Sequence, residues 1–186
     1  MNTIRDITNF IFIGKKMDEL SHYDLLIINA DWAEEQLAKD LRIMLDRNII
    51  DDDTLFIICD SHEPSNGRST AKILIDYLKK ENINNKIIID DKYISNPELL
   101  KNIDKLVNID DYTRILRIAK DFVARRWYMN AKNHYFPINK CDFYGVVDGR
   151  NISKSDWYKS DAGIKQVMKE FINIGEQTIS DELSLD

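Results

Sequence analysis

Four short apolar runs punctuate the chain: YDLLIINA (23–30), TLFIICD (54–60), NKIIIDD (85–91) and YTRILRIAKD (112–121). A weaker fifth, CDFYGVV, follows at 141–147. Apolar runs this short, without strict alternation, suit strands covered on both faces, as in a parallel sheet. Between them the apolar spacing changes to the helical period. Ala71, Leu74, Ile75 and Leu78 follow it within 68–82, and Leu99, Ile103, Leu106 and Val107 within 97–107. Leu37, Leu41, Met44 and Leu45 form a similar stripe within 31–48, which Asn48 ends on a polar position. Segment 164–179 repeats the spacing through Ile164, Val167, Met168, Phe171 and Ile172. A further helix is predicted near the N-terminus, over about residues 2–12.

Strands that alternate with helices build right-handed βαβ units, because a right-twisted strand and its helix pack back onto the sheet only that way. The predicted fold class is therefore α/β. It is a three-layer αβα sandwich around a Rossmann-like, mostly parallel sheet of about five strands. Residues 1–186 read as a single domain, with the N- and C-terminal helices packed on it. Pro97 suits the first turn of its helix, where no amide bond is lost, with Asn96 as the cap. The stretch VVDGRNISKSDWYKSDAG (146–163) is the one long turn-rich segment.

With 186 residues, 44% of them apolar, the chain can bury one sizeable core. Its net charge of −6 argues against broad binding to nucleic acid or to anionic membrane, which favours clustered Lys and Arg. Cys59 and Cys141 stand far apart inside apolar runs, with no CxxC pair, and read as two buried thiols in a reducing compartment. The only apolar run near the start is Phe10 to Ile13, which supports neither a signal peptide nor a membrane span. A cytoplasmic protein is expected.

In an open parallel sheet, ligands bind beyond the carboxyl ends of the strands, where the strand order reverses. That rule selects Asn29 and Asp31 after the first strand, and Asp60, Ser61 and His62 after the second. Asp90, Asp91 and Glu98 follow the third, and Lys120, Asp121, Arg125 and Arg126 the fourth. Each corner has a plainer reading as well. Asp, Asn and Ser cap helices at strand ends whatever the function, and Asp31 before WAEEQL reads first as such a cap. Ser61 and His62 are adjacent on an extended chain and point in opposite directions, so a nucleophile–base pair would need a third group to orient the histidine. Asp90–Asp91 lacks other metal-ligand spacing and reads as a solvated corner before it reads as a metal site. Arg125 and Arg126 sit where a helix opens, a position that favours anions. Helical geometry turns only one of the two inward, and the alternative is a surface cation with its stem packed on Trp127 or Tyr128. No GxGxxG, Walker A, HExxH or GxSxG motif is present.

The order of these segments resembles the YdcF-like family, which includes the SanA and ElyC proteins. The resemblance spans about residues 20 to 145 and rests on DLLIINADWAEE, ICDSH, NGRSTAKILIDYL, IIIDDKYISNPELL and IAKDFVARRWYMNA, in that order. Asp90, Glu98 and Arg126 fall on positions the family retains. The family's glycines after strands one and two are absent, Thr70 replaces its Glu, Leu99 its Asn, and Val123 stands where some members carry a histidine. The resemblance implies a Rossmann-like αβα fold. It also implies a nucleotide-like or anionic metabolite, S-adenosylmethionine among them, at the carboxyl ends of the strands. The resemblance implies no particular reaction, since none is established as common to the family. In that reading Arg126 holds the anion, and Asn29, Asp31, Asp60, Ser61, His62, Asp90 and Glu98 shape the pocket. His62 is the candidate proton-transfer group. Without the glycines, backbone cannot approach a cofactor as closely. The alternative is a degenerate member that has lost its ligand and serves as a protein-interaction or homo-oligomeric assembly module. Its aromatics from Trp127 to Phe136 and at Trp157–Tyr158 would then supply the contact surface.

Overall fold

The computed structural model describes residues 3–29, 34–60, 69–91 and 96–179, with side chains at 96–99 left aside. Five strands form one sheet: β1 (Leu25–Ile28), β2 (Leu55–Cys59), β3 (Ile87–Asp90), β4 (Ile115–Lys120) and β5 (Cys141–Val146). Their order across the sheet is β3-β2-β1-β4-β5, and every pairing is parallel. The register sets Ile27 of β1 beside Ile57 on one flank and Arg117 on the other. All four residues of β1 are fully buried, as expected for the middle strand of a sheet covered on both faces. Each such Leu or Ile contributes roughly 1.5–3 kcal/mol of hydrophobic stabilisation.

Helices α1 (Thr3–Ile11), α2 (Glu34–Asp46), α3 (Thr70–Lys80), α4 (Asn96–Leu106), α5 (Ala124–Asn133) and α6 (Asp161–Ile179) complete the fold. Helices α2 and α3 cover one face of the sheet, where Leu37, Leu41, Met44, Leu74 and Leu78 pack on Leu26, Ile28, Phe56 and Ile58. On the other face, Leu100 and Ile103 of α4 and Trp127 of α5 pack on Leu25, Ile27, Ile57 and Ile115. A third cluster joins α1, α5 and α6 through Ile11, Phe12, Met129, Trp157, Val167 and Ile174. This is the three-layer α/β arrangement predicted from the pattern, with α1 and α6 seated outside α5. Cys59 is buried on β2 and Cys141 half-buried on β5; they form no disulfide, and burial pushes the Cys141 thiol up to about 12.

One terminating device recurs. Asn48, Asn82 and Tyr135 hold φ of 55°, 57° and 56° just past the ends of α2, α3 and α5. After each, the next amide reaches back to close the last turn: Ile49 to Met44 O, Ile83 to Leu78 O, and Phe136 to Ala131 O, each at 2.9 Å. Those three apolar residues are buried, so each helix end is both hydrogen-bonded and stapled to the core, as in a Schellman cap. Asn48 is thus not a polar member of the α2 stripe but its stop signal.

Helix α6 differs from its expected stripe. Its buried residues are Gly163, Val167, Glu170 and Ile174, whereas Ile164, Phe171 and Ile172 are exposed. The reason is partly steric: a Cβ at Gly163 would come within 2.2 Å of the Trp157 carbonyl oxygen, so glycine faces inward there. Among the described residues no helix is long and apolar enough to cross a membrane.

Candidate functional site

The strand order reverses between β1 and β4. After β3 the chain crosses from one edge of the sheet to the far side of β1, and the carboxyl ends of β1 and β4 border the crevice this leaves. Asn29 follows β1, is buried, and its backbone amide donates to Ile118 O of β4 at 2.8 Å. Asp60 follows β2 and is also buried. Its amide donates to Asp90 O at 2.9 Å, and its carboxylate accepts the Ala71 amide at 3.0 Å and the Thr70 hydroxyl at 3.3 Å. Asp60 therefore ties the end of β2 to the first turn of α3, while Ser69 caps the same helix by accepting the Lys72 amide at 3.1 Å. Asp90 ends β3 and is 3% exposed. Asn29, Asp60 and Asp90 thus line up as buried polar groups along one edge of the sheet.

Asp31, Ser61 and His62 lie outside the described residues, as does the side chain of Glu98 in the first turn of α4. Arg126 is turned toward α6: its Nε donates to Glu170 Oε2 at 2.7 Å and its Nη2 to Oε1 at 3.3 Å. Arg125 instead donates to Phe10 O at 2.8 Å and lies over the Phe10 ring. Of the aromatics named as contact candidates, Trp127, Phe136 and Trp157 are buried in the core, whereas Tyr128, Tyr135 and Tyr158 are exposed.

Two residues near the reversal stand out in three dimensions: Asp121, already selected by its place after the fourth strand, and Arg117, which that rule did not select. Asp121 follows β4, and its carboxyl packs against Gly145 of β5, where an added Cβ would come within 2.2 Å of Asp121 Oδ1. Burial raises this carboxyl to about 6, despite the Lys154 backbone hydrogen bond and the Lys154 charge, which act to lower it. A carboxyl in that range gives up or takes a proton near neutral pH. Arg117, in the middle of β4, is 1% exposed, and its Nη1 donates to Ile27 O at 3.1 Å and Ile118 O at 3.4 Å. The signal in the sequence was the charge itself, set inside the apolar run ILRIA where both faces are covered.

On the α2–α3 side, an open cleft of about 590 Å³ is bordered by Glu34, Lys39, Ile73, Tyr77 and the Val147–Asp148 segment beyond β5. The Asp148 side chain is fully buried and holds the Arg150 Nε at 2.9 Å, which fixes the start of the turn-rich stretch. Among the described residues, no three His, Cys, Asp or Glu side chains gather as a metal site. No protein-family model, curated protein or solved structure matches the chain.

Proposed function

We propose that this chain binds a nucleotide-like or other anionic metabolite at the carboxyl ends of its strands, with S-adenosylmethionine within that class. The observation that carries the reading is the strand-order reversal between β1 and β4, with buried Asn29 at its rim and buried Asp60 and Asp90 farther along the same carboxyl edge, at the ends of β2 and β3. Helices α2, α3, α4 and α5 all begin at this same edge, so their dipoles favour negative charge there. The carboxylates at the ends of β2 and β3 suit the hydroxyls of a ribose. Asp31, Ser61, His62 and Glu98 belong to the same corners by sequence. Arg126 would have to exchange Glu170 for the ligand's anion to act as its clamp. A cytoplasmic location and two reduced thiols complete the reading.

Hydrogen exchange measured with and without adenosine, AMP and S-adenosylhomocysteine tests this proposal. Protection at residues 29, 60, 90 and 118–121 is the expected result. Protection confined to other faces, or none with any of the three, overturns it.

A second reading, an assembly module, is favoured by one observation. Helices α1 and α6 border an apolar groove of about 590 Å³ lined by Ile7, Phe10, Phe171, Ile174 and Ile179, the last of these 86% exposed. Light scattering across a concentration series decides it: self-association weakened by Phe171→Lys supports the module, and a strict monomer removes the self-assembling version.

A further inference from the structure

The buried guanidinium of Arg117 goes unexplained by the fold. A guanidinium keeps its charge on burial, unlike a lysine or a carboxyl, so in a protein interior it needs an anion or a full set of acceptors. Arg117 has neither among the described residues. Its Nη1 reaches two backbone carbonyls, at 3.1 and 3.4 Å, and its Nε is buried with no acceptor. It makes no ion pair with a described carboxylate, whereas Arg126, Arg114 and Arg150 each do.

Its position is as informative as its missing partner. The carbonyls it touches belong to the last rung between β1 and β4; Ile118 O also accepts the Asn29 amide there. Side chains two residues apart on a strand share a face. On the face of Arg117, the next residue toward the carboxyl edge is therefore Ala119 on β4, and the one beyond Ile27 on β1 is Asn29. The residues of β1 and β4 that share its face toward the crevice are thus small or polar, with no bulky side chain from either strand. In the same layer, Trp127 packs 6.0 Å from Phe143, the β5 residue opposite Arg117. The Trp127 indole N–H is also buried without an acceptor.

We propose that Arg117 is the anion-binding residue of this site and that the ligand brings a single oxyanion, carboxylate or phosphate, to the β1/β4 crevice. The inference rests on the carboxyl-end reading of the site and makes it more specific. A guanidinium offers a planar fork that matches either oxyanion, and strand β4 holds that fork rigidly, so little freedom is lost on binding.

The test compares ligand pairs that carry or lack the oxyanion. AMP against adenosine reads phosphate, and S-adenosylhomocysteine against 5′-methylthioadenosine reads the amino-acid carboxylate. Calorimetry on the full chain should show the oxyanion-bearing member of one pair binding more tightly. Arg117→Met should erase that preference, weakening the favoured member by about tenfold to a hundredfold, as expected for losing a charge-assisted hydrogen bond. Arg117→Lys, which keeps the charge without the fork, should fall between. The Arg117 Nε–H resonance of the wild-type chain should shift on adding the favoured ligand, a readout that does not depend on any variant folding. Preference that survives Arg117→Met, or an Nε–H signal unmoved by a ligand that binds, overturns the role of Arg117 and leaves the site standing. Failure of all four compounds to bind the wild-type chain overturns both.

Discussion

Arg126 of α5 and Glu170 of α6 meet as a two-point fork, at 2.7 and 3.3 Å, with the Glu170 side chain only 5% exposed. The pair fastens the C-terminal helix to the core. Removing one partner strands the other, so Glu170→Ala should cost about 2–3 kcal/mol, below the fully buried case because Arg126 keeps some solvent. Replacing both by methionine should recover most of that loss, and urea denaturation of the single and double variants measures the difference. The same geometry separates the two arginines. Arg126→Ala should lower stability and leave the affinity for AMP or S-adenosylhomocysteine intact, whereas Arg117→Met should do the reverse.

Asp121 gives a pH signature of known sign. Its folded-state value of about 6 lies above the ordinary carboxyl value of 3.8, with burial as the main cause. The folded state therefore holds the proton more tightly than the unfolded chain between those values, and stability falls as pH rises through that window. Asp121→Asn should be the more stable protein at pH 8, by up to about 3 kcal/mol, and should match the wild type below about pH 4. Denaturant midpoints at the two pH values check this.

Gly145→Ala should be among the most damaging single-methyl changes in the chain. The added Cβ would fall 2.2 Å from Asp121 Oδ1 and 2.7 Å from Asp121 Cα. The carboxylate can swing away, but the Cα is backbone and cannot move without shifting the end of β4. A loss of about 2–4 kcal/mol is expected. Adding Asp121→Ala should restore only part of it, because the backbone clash remains; thermal unfolding of the three variants tells the two contributions apart.

At the opposite edge of the sheet, Asp142 gathers the Lys15 ammonium at 2.7 Å, the Tyr23 hydroxyl at 2.7 Å and Arg114 at 3.1 Å. Burial acts to raise this carboxyl, and the hydrogen bonds from Lys15, Tyr23 and Arg114 outweigh it, leaving it below the usual carboxylate range. A depressed carboxyl contributes stability above its unfolded value and loses it as pH falls through the folded one. Asp142→Asn should thus cost about 1–2 kcal/mol at pH 7, and the gap should close in acid. A pH series of urea midpoints reads it directly.

The sequence by itself determined the fold class, because its signals are local. Apolar runs such as LLII and LFIIC can be satisfied only by cover on both faces, and the helical stripes between them supply that cover. Asn48 and Asn82, at the ends of α2 and α3, are equally local, since asparagine tolerates the positive φ that stops a helix. The corners worth inspecting were also legible, as Asn29, Asp60 and Asp90 show. Side-chain partners were not. A single sequence carries no record of which distant residue a charge will meet, so only the tertiary structure paired Arg126 with Glu170, 44 positions away. It also turned Asp60 toward the start of α3 and set the Asp121 carboxyl against Gly145. The strand order, too, is decided by long-range packing, and it alone brings β1 and β4 together at the reversal. Arg117 spans both kinds of information. Its charge inside an apolar run is a local signal that the strand-end rule passes over, and its burial beneath that reversal, with its Nε unmatched, belongs to the fold.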